Sequence, residues 1–183
     1  MKSGDARRTL AKWDRQGRYV FTHGDLRKLF AQDSPKTLLA GLNRLVSDGL
    51  LIRAARGLFV LDHARSDDGH TLERLAIAMR RGNHSYVSLE SALAEYGVIS
   101  QIPVDRITVM TTGRSGEYVT PYGAIEFTHT KRSLYDVLAR ARDVGRPLPL
   151  AYADTALEDL SKSRGLIHQI DPEALTDART AGL

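Results

Sequence analysis

Cysteine is absent from the 183 residues. That removes disulfides, thiolate–metal sites and a cysteine nucleophile at a stroke. No apolar run approaches the ~20 residues that a bilayer-spanning helix needs, so no membrane partner is expected. The stretch Met1 to Arg15 is charged and has no signal-peptide core, so the expectation is a cytoplasmic protein. A Gly-x-Ser-x-Gly elbow and a phosphate loop ending in Gly-Lys-Ser/Thr are both missing. Internal repeats and low-complexity tracts are also lacking. What is present is 42% hydrophobic residues, enough for packed cores and against wholesale disorder.

The net charge of +4 is modest but unevenly placed. Residues 1–68 hold 13 Lys/Arg against 8 Asp/Glu, a net of +5, and residues 69–183 hold 13 against 14, a net of −1. A basic head on a near-neutral second domain is the asymmetry of a nucleic-acid binder, although a solvated basic face gives the same numbers.

Ser34 to Leu61 is the segment that gives that charge a geometry. Ser34-Pro35 is a helix start, the serine accepting from an orphan N–H and the proline losing nothing at the first helical position. Leu38, Leu42, Leu45 and Val46 recur on one face, and Gly49 ends the helix. The β-prone runs 50–53 and 58–61 then flank Ala54-Ala55-Arg56-Gly57, which reads as a hairpin. Upstream, a helix over 5–16 with Leu10 and Trp13 inward, a short strand at 19–21 and a Thr22-capped helix over 23–30 complete the order. Helix, strand, helix, helix, hairpin is the layout of a winged helix-turn-helix over 1–62, a module that binds double-stranded DNA or protein.

Asp62 to Gly69 is polar and aperiodic, so residues 63–69 are taken as a linker to a mixed α/β domain over 70–183. The fold class is therefore α/β (α+β). The second domain is expected to hold a helix from Thr71 to about Gly82, a strand at Tyr86-Val87 and a Ser88-capped helix over 89–96. A strand at 107–110, a hairpin around Pro121-Tyr122-Gly123 and a helix through Leu134, Val137, Leu138 and Ala141 follow. A strand over 148–152, an Asp154-capped helix and a final helix from Asp171-Pro172 close it.

On the Ser34-capped helix, Lys36, Thr37, Ala40, Gly41, Asn43, Arg44 and Ser47 fall outward. Small Ala40 and Gly41 let such a helix sit close to a groove floor. Asn43 and Arg44 suit base edges, and Ser34 and Lys36 suit phosphates at the helix start. Arg53 and Arg56 in the hairpin reach toward an adjacent groove or the backbone. A second basic surface consists of Arg114 with Lys131, Arg132, Arg140, Arg142 and Arg146, and reads either as an extension of the DNA footprint beyond the winged helix, the reading slightly preferred, or as solvated charge. The Thr111–Gly116 loop, with Gly and Arg, reads either as a phosphate cradle or as an ordinary hairpin connection. His63, His70 and His84 lack metal-ligand spacing, His129 and His168 are isolated, and the carboxylates at 90, 95, 154, 158 and 159 do not gather. No metal, no cofactor and no enzymatic activity are expected.

Tyr86-Val-Ser-Leu-Glu-Ser-Ala-Leu93, the strand into Thr111-Thr-Gly-Arg114, and Thr120-Pro-Tyr-Gly-Ala-Ile-Glu-Phe-Thr-His129 together resemble the AbiEi family of antitoxins. Arg56-Gly-Leu-Phe-Val60 is similar to the hairpin of that family's head, and residues 153–160 look loosely like its later helix. The resemblance implies an antitoxin of a type IV toxin–antitoxin, abortive-infection system. Such a protein is a transcriptional autorepressor that binds promoter inverted repeats, as a monomer or dimer. It counteracts a nucleotidyltransferase-like toxin without necessarily forming a stable complex. The other readings of the same residues are a protein-interaction module that neutralises a toxin by direct binding and, least supported, a metal-dependent nuclease.

Overall fold

The computed structural model of the chain describes residues 2–100, 105–164 and 170–183. His168, read above as an isolated histidine, lies outside the described residues. The fold is mixed α/β, and it falls into two units, one ending at Met79 and one spanning Arg80–Leu183.

In the first unit α1 (Ser3–Asp14) buries Ala6 and Leu10, while Trp13 is only half-buried under the Arg18 guanidinium. β1 (Val20–Thr22) leads directly into α2 (His23–Leu29). Thr22 closes a capping box with Asp25: Asp25 N–H donates to Thr22 Oγ1 at 3.0 Å, and Thr22 N–H donates to Asp25 Oδ2 at 2.9 Å. α3 (Pro35–Ser47) starts at Ser34, whose Oγ accepts from Thr37 N–H at 3.2 Å. β2 (Leu51–Ala55) and β3 (Leu58–Leu61) form the hairpin, and the sheet order is β1-β3-β2, antiparallel throughout. Gly57 sits at φ +74°, a value the tight connection needs and L side chains rarely adopt. Leu26, Leu38, Leu42, Phe21 and Tyr19 are fully buried and form the core of this unit.

The expected linker is part of this unit, which corrects the boundary drawn at 62 and 70. Buried Asp14 accepts from Arg65 N–H (3.0 Å), Ser66 N–H (2.9 Å) and Ser66 Oγ (2.7 Å). The Tyr19 hydroxyl lies 3.1 Å from Asp67 Oδ1, 3.2 Å from Asp68 Oδ1 and 3.1 Å from Thr71 Oγ1. α4 (Thr71–Met79) then packs Leu75 and Ala76 inward. A polar aperiodic stretch looks the same in sequence whether it hangs free or satisfies buried hydroxyl and carboxyl groups. The charge asymmetry survives the correction, because α4 brings one Glu73 and one Arg74 with it.

The second unit is built on a six-stranded mixed sheet of order β6-β7-β5-β4-β9-β8. Its strands are β4 (Ser85–Val87), β5 (Arg106–Thr111), β6 (Gly116–Thr120), β7 (Gly123–His129), β8 (Ala141–Arg142) and β9 (Leu150–Ala151). β5 runs parallel to β7 and antiparallel to β4. Its buried Thr108–Thr111 half suits a strand in the middle of a sheet. The helices are α5 (Leu89–Glu95), α6 (Leu134–Arg140), α7 (Ala153–Arg164) and α8 (Pro172–Thr180). Asp171 caps α8 as expected, accepting from Glu173 and Ala174 N–H.

Two expected caps are corrected. Ser88 makes no side-chain cap on α5, and its Oγ instead donates to Asp159 Oδ2 at 2.8 Å. Asp154 lies inside α7 and pairs with Arg179 at 2.7 Å. The Ser88 turn is held from the sheet side. Thr108 Oγ1 donates to Ser88 C=O (2.6 Å) and accepts from Ser91 N–H (3.0 Å), while Ser91 Oγ accepts from Thr108 N–H (2.8 Å). These bonds keep Leu89 at φ +59°, a left-handed conformation that costs a non-glycine residue of order 1–3 kcal/mol.

Candidate nucleic-acid interface

α3 has a buried face and an exposed one, and the exposed side also carries Leu39, 51% exposed. Leu38, Leu42 and Leu45 are buried, and Lys36, Ala40, Asn43, Arg44 and Ser47 make an exposed stripe on the other side. Gly41, expected to face outward, is buried with the leucines. Its missing side chain therefore serves the core and not a groove floor, because a 3.6-residue period carries position 41 onto the 38–45 face. The helix contains no Asp or Glu. Among the described residues, no carboxylate lies within ion-pair distance of Lys36, Arg44 or Arg56, and all three are exposed. Ser34 and Thr37 face each other across the helix start, Oγ to Oγ1 at 2.9 Å, so both hydroxyls sit beside the orphan N–H groups.

Arg53 and Asn43 behave differently from their neighbours. Arg53 Nη2 donates to Asn43 Oδ1 at 2.8 Å, and its guanidinium lies 5.1 Å from the Phe59 ring centroid. These two expected contact residues therefore clamp the hairpin to α3, and they offer a pre-set pair instead of two free side chains.

The second basic surface does not assemble as free charge. Arg132 is held by Asp159 and Glu158, Arg140 donates to Glu158 at 2.6 Å, and Arg146 makes a two-pronged pair with Glu95 at 2.9 and 2.7 Å. Arg142 stacks on Tyr96 at 5.8 Å. Lys131 and the Arg114 side chain are exposed and have no carboxylate within ion-pair distance among the described residues. The Thr111–Gly116 loop spends its polar groups internally. Arg80 Nε donates to Arg114 C=O (2.9 Å), Gly113 C=O accepts from His129 Nδ1 (2.8 Å), and Ser115 Oγ accepts from His129 N–H (2.9 Å). A Cβ on Gly113 would stand 2.9 Å from Arg80 Cδ, so that glycine supplies room.

One constellation is invisible in sequence. Asp159, 2% exposed, accepts from Tyr86 Oη (3.0 Å), Ser88 Oγ (2.8 Å) and the Arg132 guanidinium, which also donates to Tyr86 Oη at 2.6 Å. Burial and the Asp159 carboxylate push the Tyr86 phenol well above its ordinary range. The Arg132 guanidinium keeps its proton more firmly than usual, since Asp159 outweighs the cost of burial. The partners lie 27 to 73 residues apart, so no local pattern announces them.

Among the described residues no group of three His, Asp or Glu side chains is placed to hold a metal ion. No helix there is long and apolar enough to cross a membrane. Compared with known proteins, the chain matches no family model, and no curated protein is significantly similar to it.

Proposed function

We propose that the unit ending at Met79 is a winged helix-turn-helix. It binds double-stranded DNA with α3 as the recognition helix and the β2–β3 hairpin as the wing, in a protein that acts as an AbiEi-type antitoxin and transcriptional autorepressor. The observation that carries this reading is the exposed stripe of α3. It presents Lys36 and Arg44 without carboxylate partners among the described residues, small Ala40 between them, and Arg56 at the hairpin turn. Phosphate oxygens are the acceptors such a face lacks. The net +5 of this unit favours DNA association, which releases counterions and steepens the salt dependence. The antitoxin part rests on the resemblance of residues 56–60, 86–93, 111–114 and 120–129 to that family. The toxin it would counteract is nucleotidyltransferase-like.

The test is titration onto the protein's own upstream promoter DNA against scrambled DNA of equal length, at two salt concentrations. A large preference for the promoter supports the repressor; equal, salt-sensitive binding to both sinks it. A second reading, direct neutralisation of a protein partner, draws on α6, where Leu134, Tyr135 (80% exposed) and Leu138 (65%) stand in solvent. It requires a toxin that co-purifies with the chain.

A further inference from the structure

A cleft of about 620 Å³ opens in the second unit, at the end of β7 and against α7. Its size falls in the range of roughly 300–1,000 Å³ that small-molecule sites occupy. Its walls include Thr128, His129, Thr130, Lys131, Arg132 and Asp159, together with the nearly buried Met110.

The decisive feature is which of these groups are already spent. Both carboxylates in the wall are committed: Asp159 to Arg132, Tyr86 and Ser88, and Glu126 to Arg106 at 2.9 Å. Lys162 is paired with Glu158, and Ser163 Oγ donates to Asp159 C=O at 2.6 Å. What remains are donors. Thr130 Oγ1 accepts from Arg132 N–H at 3.3 Å, which leaves its own O–H to give. Thr128 Oγ1 has no hydrogen-bond partner among the described residues, and Lys131 has no carboxylate there. His129 is fixed by its Nδ1 bond to Gly113 C=O and stands as a rigid side wall. Two hydroxyl donors and an ammonium within four consecutive residues want a partner with several acceptor oxygens and negative charge. A phosphate offers three such oxygens; an amide or a sugar hydroxyl does not. The rest of the cleft volume is left for the remainder of such a ligand.

We propose that this cleft binds a small phosphomonoester of about mononucleotide size, its phosphate held by Thr128, Thr130 and Lys131. The cleft is lined by residues of the second unit, whereas α3 and the hairpin belong to the first, so ligand binding and promoter binding are measured as two separate readouts.

The experiment is calorimetric titration of the full chain with adenosine 5′-monophosphate, with adenosine, and with inorganic phosphate as competitor. The monophosphate is expected to bind at least about tenfold more tightly than adenosine, a difference of about 1.4 kcal/mol. Lys131→Glu removes a donor and adds repulsion, and should erase that difference. Thr128→Val should weaken the monophosphate about threefold at unchanged volume. Lys28→Glu, in the other unit, should leave it unaltered. Circular dichroism checks that each variant folds. Adenosine binding as well as the monophosphate, no saturable binding of monophosphate or phosphate at millimolar concentration, or wild-type affinity in Lys131→Glu would each overturn the proposal. So would a Lys131→Glu effect seen only on duplex DNA, which would make Lys131 a backbone contact.

Discussion

Asp159→Ala tests the buried network that organises the second unit. The substitution strips the acceptor from two fully buried hydroxyls, Tyr86 Oη and Ser88 Oγ, and from the Arg132 guanidinium, whose side chain is 14% exposed. An unpaired buried donor costs about 1–3 kcal/mol, and breaking a buried ion pair from one side costs about 3–5 kcal/mol. These overlap, because Tyr86 Oη still accepts from Arg132 at 2.6 Å and Glu158 stays 3.4 Å from that guanidinium. The expected loss is therefore about 3–5 kcal/mol and not the sum. With a urea slope of about 1–3 kcal/mol per molar, the midpoint drops by more than about 1 M. The assay is urea unfolding followed by far-ultraviolet dichroism, with fluorescence of Trp13, the single tryptophan, as an independent report from the first unit. Removing both charges in Asp159→Ala/Arg132→Met should restore at least about 1–2 kcal/mol, because no buried cation is left without its counter-charge. A loss below about 1 kcal/mol in the single variant, or a double variant no better than the single, refutes the reasoning.

Gly113→Ala should cost about 1–3 kcal/mol by overpacking. Its Cβ meets Arg80 Cδ, and Arg80 cannot swing away while it lies 3.9 Å from the Phe127 ring centroid and donates to Arg114 C=O; thermal unfolding reads the loss. In the first unit, hydrogen bonding from Arg74 holds the Asp68 carboxyl far below its usual value. Burial alone would raise the Asp14 carboxyl, but the Ser66 hydroxyl and the Ser66 and Arg65 N–H groups outweigh it and hold it low. Depressed carboxyls stabilise above their unfolded value, so Trp13-monitored stability should hold at neutral pH and fall as pH drops below about 4. A flat profile from pH 5 to pH 2 contradicts this. Burial, opposed by the Thr71 bond and helped by the charges of Asp67 and Asp68, pushes the Tyr19 phenol up to about 12. That stabilisation should be present below about pH 10 and be lost as pH rises toward 12. On DNA, Arg44→Ala should cost about 1–3 kcal/mol on the promoter and little on scrambled duplex, whereas Lys36→Ala should weaken both and lower the salt slope by about one. Equal losses on both duplexes for Arg44→Ala would make it a phosphate contact.

Local chemistry determined much of this protein. Ser34-Pro35 and Gly49 bracket α3, the Thr22–Asp25 box starts α2, Asp171-Pro172 starts α8, and Gly57 permits the hairpin turn. Caps, turns and apolar spacing act within a few residues, so a single chain displays them in full. The same locality made Lys36, Arg44 and Arg56 legible as exposed cations. What lay beyond it was decided by long-range partners. Ser88 reads as a cap and becomes a donor to Asp159, 71 residues away. Residues 63–69 read as a linker and become the acceptors and donors that satisfy Tyr19 and Asp14. Arg132, Arg140 and Arg146 read as a basic face and are neutralised by Glu158, Asp159 and Glu95, which the sheet order brings across from other elements. A side chain's type is written in the sequence. Whether its charge or hydroxyl remains available for a ligand depends on which partner the tertiary fold places within about 3 Å of it.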